Sequence, residues 1–167
     1  MMTDYEKKFG KNATATITSK FINIDTYSGH GLLSVDVKGA HILLSPTAFP
    51  ETIGKAVMEA LSRSRFLSLE EARDIPTQKA EGEEYQRRIE AMVKDFGFRS
   101  RRAMFKNMMN VFIRKSEDVM TFKPSIHTGL ERWGSNKSDG LEEVVIHANS
   151  DPATIGSALL EAFKRCR

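Results

Sequence analysis

Apolar and polar residues alternate along Ala13–Thr18 and Phe21–Ile24, and again along Leu33–Val37. Alternation with β-branched residues reads as strand, dry on one face and wet on the other. Tyr27–Gly31 has turn chemistry, and Lys38-Gly39 is a tight turn into an apolar segment, His41–Leu44. The period then changes. Ile53, Val57, Ala60 and Leu61 fall on one stripe of a helix over Pro50–Arg65. Leu67–Asp74 reads as a short acidic helix that stops before Pro76, and Glu81–Phe96 as a clearer one, with Ile89, Met92, Val93 and Phe96 on one face. Gly97 is its expected C-terminal cap. Ser100–Met109 is basic and amphipathic. Val111–Arg114 and Val119–Lys123 read as a hairpin around Ser116–Asp118. Ile126–Gly140 reads as a long loop holding the only tryptophan, Trp133, followed by a strand at Leu141–His147 and a terminal helix. Residues 1–11 are polar and read as disordered.

The last strand and helix repeat an earlier pair. Ile42–Arg65 recurs in register as Val144–Arg167, with nine of 24 positions identical, including Pro50/Pro152, Gly54/Gly156, Glu59/Glu161 and Arg63/Arg165. A fixed offset means one structural unit used twice. The period is too long for a solenoid. The pattern therefore predicts a single domain over 1–167, with two related β-β-β-α halves at about 13–66 and 110–167 and a helical insert at 67–109. The expected class is α+β, a mostly antiparallel sheet with helices packed on one face. Glycine inside a helix costs about 1 kcal/mol against alanine. Finding it twice at one place predicts close packing, and the preceding strand is the expected neighbour. Asp151 is a natural N-cap for the second helix, whereas Phe49 at the same place in the first is a weak one.

A chain of 167 residues can bury one adequate core. Its single cysteine, Cys166, excludes an intrachain disulfide and fits a reducing compartment. No apolar run approaches the ~20 residues of a membrane span, and the first residues lack a secretory-signal pattern. The expectation is a soluble cytoplasmic protein. Net charge is only +3, yet it is unevenly spread: Ser68–Phe98 holds eight acidic and five basic residues, and Arg99–Lys115 six basic and none acidic.

Nothing in the chain announces catalysis. His30, His41, His127 and His147 fall at no zinc spacing. Gly29-His-Gly31 is a turn and not a phosphate loop. The adjacent pairs Glu70-Glu71 and Glu83-Glu84 point to different sides of a helix, which does not suit acid–base work. Cys166 reads as a small buried hydrophobe. No catalytic residue, metal or cofactor is expected. Arg99, Arg101, Arg102 and Lys106, interleaved with Phe98 and Phe105, are the one feature resembling a nucleic-acid surface. A core face with a solvated basic edge explains the same residues. Trp133 reads equally as an exposed anchor or as core.

Two further blocks carry a resemblance. Asp95–Met108 is similar to a block found in the immunity proteins of bacterial contact-dependent growth inhibition systems, the CdiI type. Thr121–Ser125, Trp133, Leu141–Ile146 and Ser150–Cys166 resemble that family's C-terminal block, and Gly54–Arg65 its first-half helix. The resemblance runs from about residue 13 onward, and its motifs belong to the scaffold. It implies a cytoplasmic antidote that binds and neutralises the C-terminal toxin domain of a CdiA-type effector. Such toxins are commonly nucleases, often acting on transfer RNA. A nuclease cleft is basic because it must hold phosphates. The expected toxin contacts are therefore Glu70, Glu71, Asp74, Glu81, Glu83 and Glu84. A nucleic-acid-binding module on the basic segment is the alternative, and a small hydrolase or transferase would need a pocket of convergent polar groups.

Overall fold

The computed structural model describes residues 2–167, apart from the side chains of 75–77 and 137. In chain order come α1 (Asp4–Phe9), β1 (Lys11–Ile17), β2 (Ile22–His30), β3 (Leu32–Val35), β4 (His41–Leu44), α2 (Pro50–Ser62), α3 (Leu69–Arg73) and α4 (Ile75–Asp95). Then follow α5 (Arg101–Phe105), β5 (Met109–Ser116), β6 (Val119–Pro124), β7 (Ile126–Gly129), β8 (Arg132–Gly134), β9 (Val144–His147) and α6 (Pro152–Arg165). The main sheet runs β3-β2-β1-β5-β6-β9, with β4 paired to the first half of β2. Every ladder in it is antiparallel. The class is α+β, as the alternation predicts.

Register relates the two repeats. Ile42 pairs with Ile24 and Ile24 with Ala15, while Val144 pairs with Phe122 and Phe122 with Ile113. β1 and β5 lie side by side at the centre, where Thr14 faces Phe112. An approximate two-fold axis passes through that pair and exchanges Ala13↔Ile113 with Ala15↔Val111. The helix ends dock alike. Gly29 N–H donates to the Arg65 carbonyl, and His127 N–H to the Arg167 carbonyl.

Ala13, Ala15, Ile22, Ile24, Val111, Ile113, Met120 and Phe122 alternate onto one sheet face and form the main core with α2 and α6. The two glycines meet the opposite helix, not the preceding strand. A Cβ built on Gly54 would lie 1.8 Å from the Pro152 carbonyl oxygen, and one on Gly156 the same distance from that of Pro50. Asp151 Oδ1 caps α6 through Thr154 N–H at 2.8 Å, and Phe49 makes no side-chain cap on α2.

The insert lies on the other face. α4 sets Tyr85, Arg88, Ile89 and Met92 against Thr14, Thr16, Asn23 and Asp25, which alternate away from the main core. With Phe21, Met104, Phe105 and Met108 it builds a second, smaller core. Pro76 falls in the first turn of α4, where a proline's missing N–H is not needed. The helical run at 100–109 stops at Phe105 because β1 recruits Met109 onward into the sheet.

Three local expectations change. Residues 2–11 hold α1, closed by a Thr3–Glu6 capping box and anchored by buried Phe9 packed edge-on to Phe66; Met1 lies outside the described residues. Tyr27–His30 is strand, paired with β3, and the reversal is a single residue, Gly31, at φ 91°. Ile126–Gly134 is a hairpin and not loop, because Trp133 pins it: its indole N–H donates to the Met108 carbonyl at 3.0 Å and its ring stacks on His127.

An ion pair between a buried carboxylate and a half-exposed arginine fastens the end of α2 to the sheet edge. Asp36, 5% exposed, accepts from Arg65 Nε at 2.8 Å and Nη2 at 3.0 Å, and from Ser28 Oγ at 2.6 Å. Burial alone would raise its pKa. Hydrogen bonds from Arg65, Ser28 and Lys38 N–H outweigh that and hold it below the ordinary carboxylate value. The folded value is depressed, so its stabilisation is complete above the unfolded pKa of ~3.9 and disappears as pH falls through the folded one. Asp36→Asn should therefore lower the urea midpoint at about pH 6, and its gap to the parent should close toward about pH 3. A gap that stays constant across that range would assign the loss to packing instead.

The glycine contact gives a second expectation. Gly54→Ala and Gly156→Ala should each cost roughly 1–3 kcal/mol by urea denaturation, although alanine favours helix. The double variant should cost less than the sum, since one separation of the helices relieves both clashes.

Candidate partner-binding surface

The outer sheet face, away from α2 and α6, is built from every second residue of the strands. One row across it is His41–Asp25–Thr14–Phe112–Lys123. The next is Tyr27–Asn12–Arg114–Thr121–Val145. Both rows cross from the first half to the second at the two-fold axis.

The first half of this face is closed. Asp25 accepts from Asn23 Nδ2 at 2.8 Å and lies 2.6 Å from His41 Nδ1, with Arg88 Nη1 of α4 at 3.9 Å. Arg88 also donates through Nη2 to the Val37 carbonyl at 2.8 Å. Tyr85 of α4 borders the same carboxylate. Burial raises its pKa, and the Asp25 charge adds to the effect.

The second half is an open groove of about 750 Å³, floored by Phe112, Arg114, Thr121 and Lys123 and flanked by Tyr27, Leu32, Leu33, Trp133 and Glu143. Among the described residues its lining includes no helical residue. Arg114 reaches only Asn12 Oδ1, at 3.3 Å, and neither it nor Lys123 has an ion-pair partner among the described residues. Burial pushes the Tyr27 hydroxyl up to about 12, against a hydrogen bond with Thr14, so it stays a neutral phenol. Apolar side chains are exposed beside the groove, Leu32 at 91% and Val145 at 56%. The sequence reading missed this surface because its residues come from six separate strands. Only the register brings them together.

The six acidic residues do not form one cluster. Glu71, Asp74 and Glu81 line a small cleft of about 140 Å³ with Lys38, Arg65 and Leu67. Glu71 also closes the capping box of α3 on Ser68, its other oxygen 3.9 Å from Arg65 Nη1. Glu84 is bound by Arg87 at 2.8 Å. Glu70 and Glu83 are exposed. The cleft and the groove share no lining residue: Leu32 and Leu33 of β3 line the groove, and Lys38, three residues past that strand, borders the cleft.

In the basic segment, Met104 and Phe105 are buried in the second core, while Arg99, Arg102 and Lys106 are exposed. Arg101 is held by Glu131, at 2.9 Å, and by Gln86. The four histidines have local partners: His30 Nδ1 at the Leu67 carbonyl, His41 at Asp25, His127 Nε2 at the Leu130 carbonyl, and His147 Nδ1 at Asn149 N–H. Burial raises the Cys166 thiol pKa, with hydrogen bonds at Ser125 and Asn110 opposing it, so a reactive thiolate is disfavoured.

Likenesses to other proteins extend along the whole chain. The family model CdiI, CDI immunity protein, matches residues 11–166. Immunity protein CdiI-YPIII of Yersinia pseudotuberculosis serotype O:3 (strain YPIII) is 30% identical over 167 aligned residues, 93% of this chain and 94% of that protein. A solved structure described as a protein of unknown function, NMB0488 from Neisseria meningitidis, superposes with a TM-score of 0.86 at 28% identity, covering 100% of both chains. The CdiA-CT/CdiI toxin and immunity complex from Yersinia pseudotuberculosis contains a chain that superposes with a TM-score of 0.83 at 29% identity, covering 94% of this chain and 97% of that one. With a family match across nearly its whole length and a curated immunity protein 30% identical over 93% of it, this chain belongs to the CdiI family of CDI immunity proteins.

Proposed function

We propose that this protein protects its cell by binding the C-terminal toxin domain of a CdiA-type effector and holding it inactive, with no chemistry of its own. The observation that carries the reading is the end-to-end match to the chain from the Yersinia toxin and immunity complex. The residues support it: the buried carboxylates Asp25 and Asp36 are bound by side chains of the scaffold, and the accessible features are surfaces. The toxin is a nuclease met in the cytoplasm. Its phosphate-holding cleft is cationic, and the exposed carboxylates at the start of α4, with Glu70, Glu71 and Asp74 on and beside α3, take the place of phosphates there. Lys38 and Arg65 within the acidic cleft temper that field, so the contact relies on the carboxylates at its rim. Such charges act mainly on encounter rate and specificity.

Reversing Glu81, Glu83 and Glu84 to lysine should weaken binding to the cognate toxin by roughly tenfold or more, chiefly through slower association at low salt. The fold should tolerate the changes, since the Glu84–Arg87 pair is a surface pair worth little. Association rates measured at two salt concentrations decide it: identical rates for parent and triple variant take these residues out of the interface. If the parent fails to protect cells expressing the toxin encoded beside its gene, the immunity reading itself falls.

A further inference from the structure

The two halves of the outer face differ in a way that names what the open one receives. Thr14 and Phe112 face each other on the two-fold axis. One strand outward from Thr14 is Asp25; one strand outward from Phe112 is Lys123. The equivalent positions thus carry opposite charge. The next pairs outward along the same face are Asn23↔Leu43 and Thr121↔Val145, again equivalent. In the first half the sheet is covered from within the chain: α4 lays apolar Ile89 and Met92 beside Asp25 and brings Arg88 to its carboxylate. In the second half no helix covers the same footprint among the described residues, and among them the cations Lys123 and Arg114 have no ion-pair partner.

We propose that the open half-face of β5, β6 and β9 is a docking surface for the toxin domain, and that the toxin fills it as α4 fills the other half, with the charges exchanged. The occupant is a segment of the toxin that presents carboxylates to Lys123 and Arg114 and apolar side chains to Phe112 and Val145. Charge selects this partner. A cationic floor whose ammonium and guanidinium groups have no ion-pair partner among the described residues attracts acidic groups and repels basic ones, and Val145, 56% exposed at its edge, offers apolar contact. In that arrangement carboxylates beside the toxin's basic cleft reach this sheet. The inference rests on the immunity reading.

The test uses the full-length protein and the toxin domain encoded at the end of the reading frame immediately upstream. The variants are Lys123→Glu with Arg114→Glu, and separately Val145→Arg, which sits on an exposed edge strand and leaves the core untouched. Glu51→Lys on the exposed side of α2 is the control. Both groove variants should keep the parent's urea midpoint and lose roughly tenfold or more in toxin affinity by calorimetry, with matching loss of protection in cells, while the control keeps both. Folded groove variants that bind and protect like the parent overturn the proposal and leave the immunity reading standing. A parent that neither binds nor protects removes that reading, and this proposal with it. Binding of single-stranded oligouridine RNA that is lost in Lys123→Glu/Arg114→Glu, with toxin affinity unchanged, also overturns it and gives the face to RNA.

Discussion

Two helix backbones cross with no room for a side chain between them. α2 and α6 cross where Gly54 meets the carbonyl of Pro152 and Gly156 that of Pro50, with no room for a Cβ on either side. That contact sets how near the helices lie and hence how the sheet beneath them is divided. Each helix sits over its own half, and the axis between them is the one that passes through Thr14 and Phe112. A single added methyl would open the crossing and lift both helices from Ile24, Val111 and Phe122. A packed interior transmits such a change and does not absorb it.

Symmetry of the scaffold is what makes its asymmetry meaningful. Both halves bury alternate strand residues against a helix, so both must do something with the opposite face. The first half spends the insert on it. α4 and α5 build a second core there, and Asp25 and Arg88 share a buried polar network. The second half leaves the equivalent face to solvent, with Lys123 where Asp25 would be.

Charge is distributed to match. Buried Asp36 is paired with half-exposed Arg65 beside the turn after β3, and removing Arg65 would leave the carboxylate buried without its charge partner. The exposed carboxylates of α3 and α4 and the exposed cations of Arg99–Lys106 are solvated and cost the fold little.

Much of this was legible along the chain. The in-register repeat, the two packing glycines, the Asp151 cap, the hairpin of β5 and β6 and the α+β class all depend on residues close in sequence or on a fixed offset, so pattern alone exposes them. The resemblance to the immunity family rested on the same contiguous blocks. What the sequence left hidden depends on distant partners. Tyr27–His30 looks like turn by composition but is strand, because β3 supplies its ladder. Residues 4–9 look too polar to order but are capped and held by Phe66. The glycines announce close packing, yet only the tertiary structure gives the neighbour, a helix about a hundred residues away. The groove of Phe112, Arg114, Thr121 and Lys123 has no sequence signal, since alternation interleaves its residues with the core and strand pairing alone sets them side by side.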